Sequence, residues 1–322
     1  MKGRKYNSNN YQYNIKKSIK EDNINHIKFI MTLIIIAITA TLIIFAKSIE
    51  NIMKLNSVPV ASSVLAENEE ETERIKQEEI EKKKEKERLE QKKKEEERQA
   101  KLPKLTDVGK ENMSHIYSSE TKRAFLTFDD GPSNVTPQIL DTLKNEDVKA
   151  TFFMLGCNVV NFPETTKRVW DEGHYIANHG YTHVYSSIYS SAQSVLDEFN
   201  RCNDAVKEAL GEPEYNSHLF RFPGGMPGGP YADLKKEAKQ LLEENGVLSV
   251  DWNALTGDAE SQHPEKEKLM EELKSTTEGK NSVVILMHDA QAKKVTADML
   301  PEIIAYLREQ GYEFQTFYDI IK

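Results

Sequence analysis

Residues 123–322 predict a single α/β domain built on a mostly parallel sheet or barrel, and three observations predict it. Short apolar runs rich in aromatic and branched residues alternate with longer amphipathic stretches, and Gly or Pro marks most of the junctions. That alternation gives parallel strands joined by crossover helices. The stretch also has a length that suits one α/β domain with a sizeable core. Finally, carboxylates, imidazoles and an arginine sit at or just beyond the ends of the apolar runs, where α/β folds build their sites.

The rest of the chain has a different composition. Residues 1–28 are polar, with Lys2, Arg4, Lys5, Lys16, Lys17, Lys20 and Lys28 set against only Glu21 and Asp22. Phe29 to Ala46 is an uncharged run of 18 residues, long enough to cross a hydrocarbon core. The lysine excess before it places the N-terminus in the cytoplasm and everything after Lys47 outside. A cleaved signal peptide is the competing reading, but the run is long for one and no small-x-small site follows it directly. Residues 47–66 read as a polar linker. Glu67 to Lys101 is almost wholly Glu, Lys and Arg without Gly or Pro, so it predicts an exposed charged helix. Ile75, Ile80 and Leu89 do not form a heptad, which argues against a coiled coil; a disordered spacer is the alternative. Residues 102–122 read as a further linker, with Pro103 ending the helix.

Within the folded part, Arg123–Phe128 predicts a buried strand broken by Gly131-Pro132. Thr136–Asp147 is a helix with Pro137 in its first turn, Ala150–Leu155 a strand, and Phe162–Glu172 a helix ended by Gly173. Tyr175–Asn178 is a short strand, and Ser191–Leu210 a long amphipathic helix closed by Gly211. Leu219–Phe222 and Leu248–Trp252 are strands on either side of a helix over Tyr231–Glu244. Glu265–Thr277 is helical, Val283–Met287 a strongly apolar strand, Val295–Gln310 the last long helix, and Glu313–Phe317 the closing strand. The net charge of −9 argues against a nucleic-acid partner, and no P-loop, zinc-finger spacing or dinucleotide glycine pattern is present. Cys157 and Cys202 are the only cysteines, so the choice is between two free thiols and one bridge.

Asp129 and Asp130 stand side by side at the end of the first strand. Successive side chains on an extended backbone point to opposite sides, so the two carboxylates are expected to do different work. His179 and His183 are four apart and share a face if their segment takes a helical turn. One carboxylate with two imidazoles makes a three-ligand set that leaves a position open for water, the form of a catalytic zinc site. Arg221, Asp251 and His288 each follow or end an apolar run. Taken alone, they would read as a surface ion pair, a loop carboxylate and a structural histidine.

In this order the motifs Thr127–Pro132, Asn178–His183, Arg221–Pro223, Asp251-Trp252 and Leu286–His288 resemble those of the polysaccharide deacetylases of the NodB-homology type, carbohydrate esterase family 4. The resemblance covers essentially the whole of residues 123–322. It implies a distorted (β/α) barrel with fewer strands than the eight-stranded form. It also implies that Asp130, His179 and His183 hold a divalent metal, zinc first, with cobalt or another divalent ion as alternatives. Asp129 would be the catalytic base paired with Arg221, and Asp251 would pair with the general acid His288. Gly224 would offer its N–H to the oxyanion, and Trp252 and Leu286 would line the pocket for the acetyl methyl group. Two positions depart from the family pattern. Gly180 stands where a Ser or Thr is usual, so a hydroxyl that helps fix the loop is lost. Gly224 stands where an aromatic is common, so that position gives the groove no side-chain wall.

The expected activity is hydrolysis of N-acetyl groups on an extracellular glycan, with peptidoglycan N-acetylglucosamine as substrate. An anchor followed by a long spacer suits a polymer lying above the membrane. The partners are therefore a glycan and, through one N-terminal helix, a membrane. Chitin-like or other polysaccharides, O-acetyl ester hydrolysis, and non-catalytic glycan binding are the alternatives.

Overall fold

The computed structural model describes residues 8–55, 60–261 and 264–322; the first seven residues of the basic tail and His263 lie outside them. Contacts divide the chain into two units, Met1–Gln91 and Lys92–Lys322. In the first unit, α1 (Ser8–Leu55) carries an apolar stretch, Ile30–Met53, of 24 residues with mean hydropathy 2.4 and none of it buried. The helix outruns the predicted apolar run at both ends. Thr39 and Thr41 return their hydroxyls to the carbonyls of Ile35 and Ala37 (2.9 Å each), so the span leaves neither group unpaired. After residues 56–59, α2 runs from Val60 to Lys101 with exposed side chains along its charged stretch, as the composition predicted. Pairs such as Glu71–Arg74 (3.1 Å) and Glu85–Arg88 (2.8 Å) each add a few tenths of a kcal/mol. Most of residues 47–66, expected as a linker, is thus helical too.

The second unit begins within α2. Arg98, near its end, pairs with Glu212, and Gln99 donates to Glu214 (3.0 Å). Leu102 is buried in the core, so the folded unit starts well before Arg123. The elements that follow are α3 (Asp107–Ser114), β1 (Arg123–Asp129), α4 (Thr136–Asn145), β2 (Thr151–Met154), α5 (Gly156–Asn161), α6 (Pro163–Asp171) and β3 (Tyr175–Asn178). Then come α7 (Tyr185–Ile188), α8 (Ala192–Leu210), β4 (Leu219–Phe220), α9 (Ala232–Glu244), β5 (Leu248–Ser249) and β6 (Ala254–Leu255). The chain ends with α10 (Lys266–Thr277), β7 (Ser282–His288), α11 (Lys294–Glu309), β8 (Glu313–Phe314) and α12 (Tyr318–Ile321).

All strand pairs are parallel, in the order β5-β4-β3-β2-β1-β7-β6, with β8 beside the first residues of β1. The result is a curled half-barrel, the distorted (β/α) barrel that the sequence predicts. Alternation along β1 sorts its side chains. Ala124, Leu126 and Phe128 join the layer under α4, α6, α10 and α11. Phe125 points inward with Phe153, Tyr175, Val284 and Phe317 and fills the lower lumen. Here α3 and α12, neither predicted from sequence, close the end at which the strands begin: Met113, Ile116, Ile320 and Ile321 complete the inner cluster. Above that plug, Thr127 and then Asp129 carry the inner face upward to the strand C-termini. In register beside them on β7 stand Leu286 and His288.

Candidate active site

The site is assembled where β1, β3, β4 and β7 end. Asp129 is 2% exposed and receives a 2.7 Å hydrogen bond from Arg221 Nη1. Arg221 is wholly buried just past β4. Its guanidinium also donates to Thr127 Oγ1 (2.8 Å) and to the carbonyls of Val250 (3.3 Å) and Asp251 (3.0 Å). It lies 3.9 Å from the centre of the Phe153 ring. Burial pushes the Asp129 carboxyl above the ordinary carboxylate range, and Arg221 and His288 pull it back without cancelling that rise. The pair therefore joins a carboxylate of raised proton affinity to a fixed positive charge.

Asp130 lies one residue beyond the strand in the left-handed region (φ 72°), so it does not continue the pleat. Its carbonyl accepts from Asn158 Nδ2 at 2.8 Å, which holds the turn. The histidine pair does not use the expected helical turn. His179 follows β3, Gly180 reverses the chain at φ 88°, and His183 is left-handed at φ 57°. Left-handed non-glycine residues cost about 1 kcal/mol or more each and persist where their surroundings fix them. Here the surroundings are identifiable. Glu198 of α8, 5% exposed, accepts from the N–H groups of Tyr181 (2.8 Å) and Thr182 (2.7 Å) and from the Thr182 hydroxyl (3.1 Å). Asn178 Oδ1 accepts from Gly180 N at 2.9 Å. These contacts brace the loop around Gly180. Glu198→Ala is expected to weaken divalent-metal affinity by roughly 10–100-fold, the usual effect of removing a group that orients a ligand. Metal titration of the purified chain checks it, and unchanged affinity would remove Glu198 from this role.

Among the described residues, Asp130, His179 and His183 are a group that could hold a metal ion, their ligand atoms all within 4.8 Å of one another. Asp130 Oδ1 is buried without a hydrogen-bond partner, 3.4 Å from His183 Nε2 and 3.6 Å from His179 Nε2. His179 Nδ1 is engaged by the Arg221 carbonyl at 2.8 Å, which leaves Nε2 to face the cluster. Burial holds the His179 ring neutral, its pKa down at about 3. Converging acceptor atoms with no donor between them suit a divalent cation, and one oxygen with two imidazole nitrogens is a donor set for zinc.

The carboxylate partner of His288 differs from expectation. His288 Nδ1 is 2.8 Å from Asp258 Oδ1, and the His288 N–H donates to Asp258 Oδ2 at 2.8 Å. Thr296 Oγ1 adds a 2.7 Å bond to the same oxygen. Burial disfavours the imidazolium, but Asp258, with Asp129 and Asp130 adding, outweighs it and lifts His288 to about 9. The partner expected from the sequence, Asp251, instead accepts from Met226 N (3.0 Å). It braces the loop that carries Gly224, beside Tyr189 Oη on the Pro223 carbonyl (2.7 Å) and Lys235 Nζ on that of Gly225 (2.5 Å). The Gly224 N–H has no acceptor among the described residues. Leu286 is buried one pleat below His288, and the half-buried Trp252 lies against Gly225. Asp258 escaped the sequence reading because the two-residue β6 that delivers it gives no periodic signal. Glu198 had one: a carboxylate on the same stripe of α8 as buried Val195 and Cys202.

A curled parallel sheet thus carries a carboxylate–imidazole cluster beside buried acid–base pairs at its strand ends. Comparison gives the family. The polysaccharide deacetylase profile matches residues 117–247. A peptidoglycan-N-acetylglucosamine deacetylase of Bacillus cereus is 34% identical over 227 residues, 67% of this chain and 77% of that protein. Peptidoglycan-N-acetylglucosamine deacetylase PgdA of Listeria monocytogenes is 37% identical over 198 residues, 61% of this chain and 38% of its own length. Among solved structures, a CE4 esterase of Streptococcus mutans aligns with a TM-score of 0.59 at 32% identity, covering 66% of this chain and 92% of that one. The chain belongs to the polysaccharide deacetylase family, the NodB-homology group of carbohydrate esterase family 4.

Proposed function

We propose that the chain is a membrane-anchored, metal-dependent N-deacetylase of an extracellular glycan, with peptidoglycan N-acetylglucosamine as substrate. One juxtaposition carries the reading: the buried Asp129–Arg221 pair beside the Asp130, His179 and His183 cluster, with His288 in register on the neighbouring strand. A divalent ion held by Asp130, His179 and His183 would supply Lewis acidity to the acetamide carbonyl and to water. Asp129, held as a carboxylate by the Arg221 counter-charge, takes a proton as water adds to the carbonyl carbon. The Gly224 N–H donates to the carbonyl oxygen as it gains negative charge. His288, charged through Asp258, protonates the amine nitrogen as the C–N bond breaks, leaving acetate and a free amine. The apolar stretch Ile30–Met53 and the lysines before it support an anchor with the N-terminus in the cytoplasm. The name of the Bacillus cereus relative supports the choice of sugar.

The test is acetate release by the detergent-solubilised full chain from purified peptidoglycan and from chitin oligomers. Release from peptidoglycan is expected, abolished by chelator and restored by zinc or cobalt. No release from any N-acetylated glycan, or release indifferent to chelator, sinks the proposal; preference for O-acetylated glycans would convert it to an esterase. The His288–Asp258 pair adds a prediction for pH. The acid must be protonated, so activity falls as pH rises through the His288 pKa, about 9. Asp258→Asn removes the main group that raises this value. The alkaline limb of kcat should therefore move down toward the ordinary histidine range near about 6.5. A pH–rate profile with an unmoved limb would assign the proton to another group.

A further inference from the structure

Three of the large apolar side chains exposed on the second unit, Val160 (56%), Val184 (49%) and Tyr185 (40%), belong to α5, to the loop that carries His183 and to the start of α7 that follows it. Tyr185 is the residue in this group with chemistry of its own. Its ring centre lies 5.5 Å from that of His183, so it borders the cluster directly. Edge-on contacts to Tyr189 (5.6 Å) and Tyr231 (6.5 Å) hold it from behind, and Tyr189 is itself buried. On the other side it meets Gly224. A Cβ at Gly224 would stand 2.5 Å from Tyr185 Oη, so a side chain at position 224 and the present position of Tyr185 exclude one another. The left-handed φ of 75° at Gly224 reinforces that exclusion. The Tyr185 hydroxyl has no hydrogen-bond partner among the described residues. An aromatic ring backed by two others, half open to solvent and beside the reacting centre, is a preformed surface for a flat, partly apolar ligand face.

We propose that Tyr185 is a specificity-determining residue that stacks its exposed ring on the pyranose bearing the acetamide. The C–H face of the sugar covers the apolar ring, and the acetamide is thereby aimed at Gly224 N–H and the cluster. Tyr185 thus supplies from the start of α7 the wall that position 224 does not. This deepens the reading of the chain as a glycan deacetylase and rests on it.

The test measures binding of an N-acetylglucosamine tetramer by calorimetry to the full chain carrying Asp129→Asn, which slows turnover by about 10²–10⁴-fold. Adding Tyr185→Leu is expected to raise Kd about tenfold, the scale of one lost aromatic contact together with the area it covered. Adding Tyr185→Phe is expected to leave Kd within about twofold of the parent, since the ring remains. Equal affinity in the Leu variant and the parent overturns the proposal. So does equal weakening by Phe and Leu, which would assign the effect to the hydroxyl. A parent that binds no tetramer while folded overturns the deacetylase reading itself, and with it this one.

Discussion

Asp129→Asn is expected to lower acetate release by about 10²–10⁴-fold, the range a positioned base contributes, with the metal retained. The two effects separate because the work is divided between neighbours. Asp129 points into the lumen and gives one oxygen to Arg221, whereas Asp130, turned by its left-handed backbone, faces His179 and His183. Asparagine keeps the shape of the side chain but cannot accept the proton. Acetate release measured alongside metal stoichiometry checks both halves. Activity near that of the parent would show that Asp129 is not the base, and metal lost together with activity would place Asp129 among the ligands.

Arg221→Met is expected to cost about 3–5 kcal/mol of stability, because it leaves a buried carboxylate without its counter-charge. Few side chains in the unit serve so many groups. Arg221 bonds Asp129, Thr127 and two strand-end carbonyls while its guanidinium lies over Phe153, and it has no exposed surface. Urea unfolding of the full chain measures the loss. Combining Arg221→Met with Asp129→Asn should recover part of it, since the stranded charge is then gone. A loss below about 1 kcal/mol would mean that water reaches Asp129 and that the pair behaves as a surface salt bridge.

Much of this arrangement was legible in the sequence. The apolar runs of β1 and β7 end in the residues that matter because a strand buried on both faces must read as continuous hydrophobe until it leaves the core. Residue type suggested one carboxylate with two imidazoles, and the family resemblance chose Asp130 for the carboxylate; the three side chains do converge. What sequence could not supply was the route of the backbone between elements. The histidines converge through a glycine reversal rather than a helical turn, and their loop is held by Glu198 from a helix that looked merely amphipathic. Asp251 and Asp258 both follow short strands. Only the pairing of β6 with β7 shows which of them reaches His288. The segments that close the lumen, α3 and α12, are short and depend on tertiary contacts more than on local pattern.

Those two segments bear on how the unit withstands force. Thr106 N and Asn112 Nδ2 bond the carbonyls of Ile321 and Ile320, at 3.0 and 3.2 Å, so the first and last turns of the unit are clasped together beneath the strands. The Arg98–Glu212 pair is made in the same unit by the last turn of α2. Tension arriving along the chain from residues before Leu102 would load the Arg98–Glu212 pair and then the clasp at the strand N-termini. The carboxylates and imidazoles sit at the opposite ends of those strands, away from that clasp.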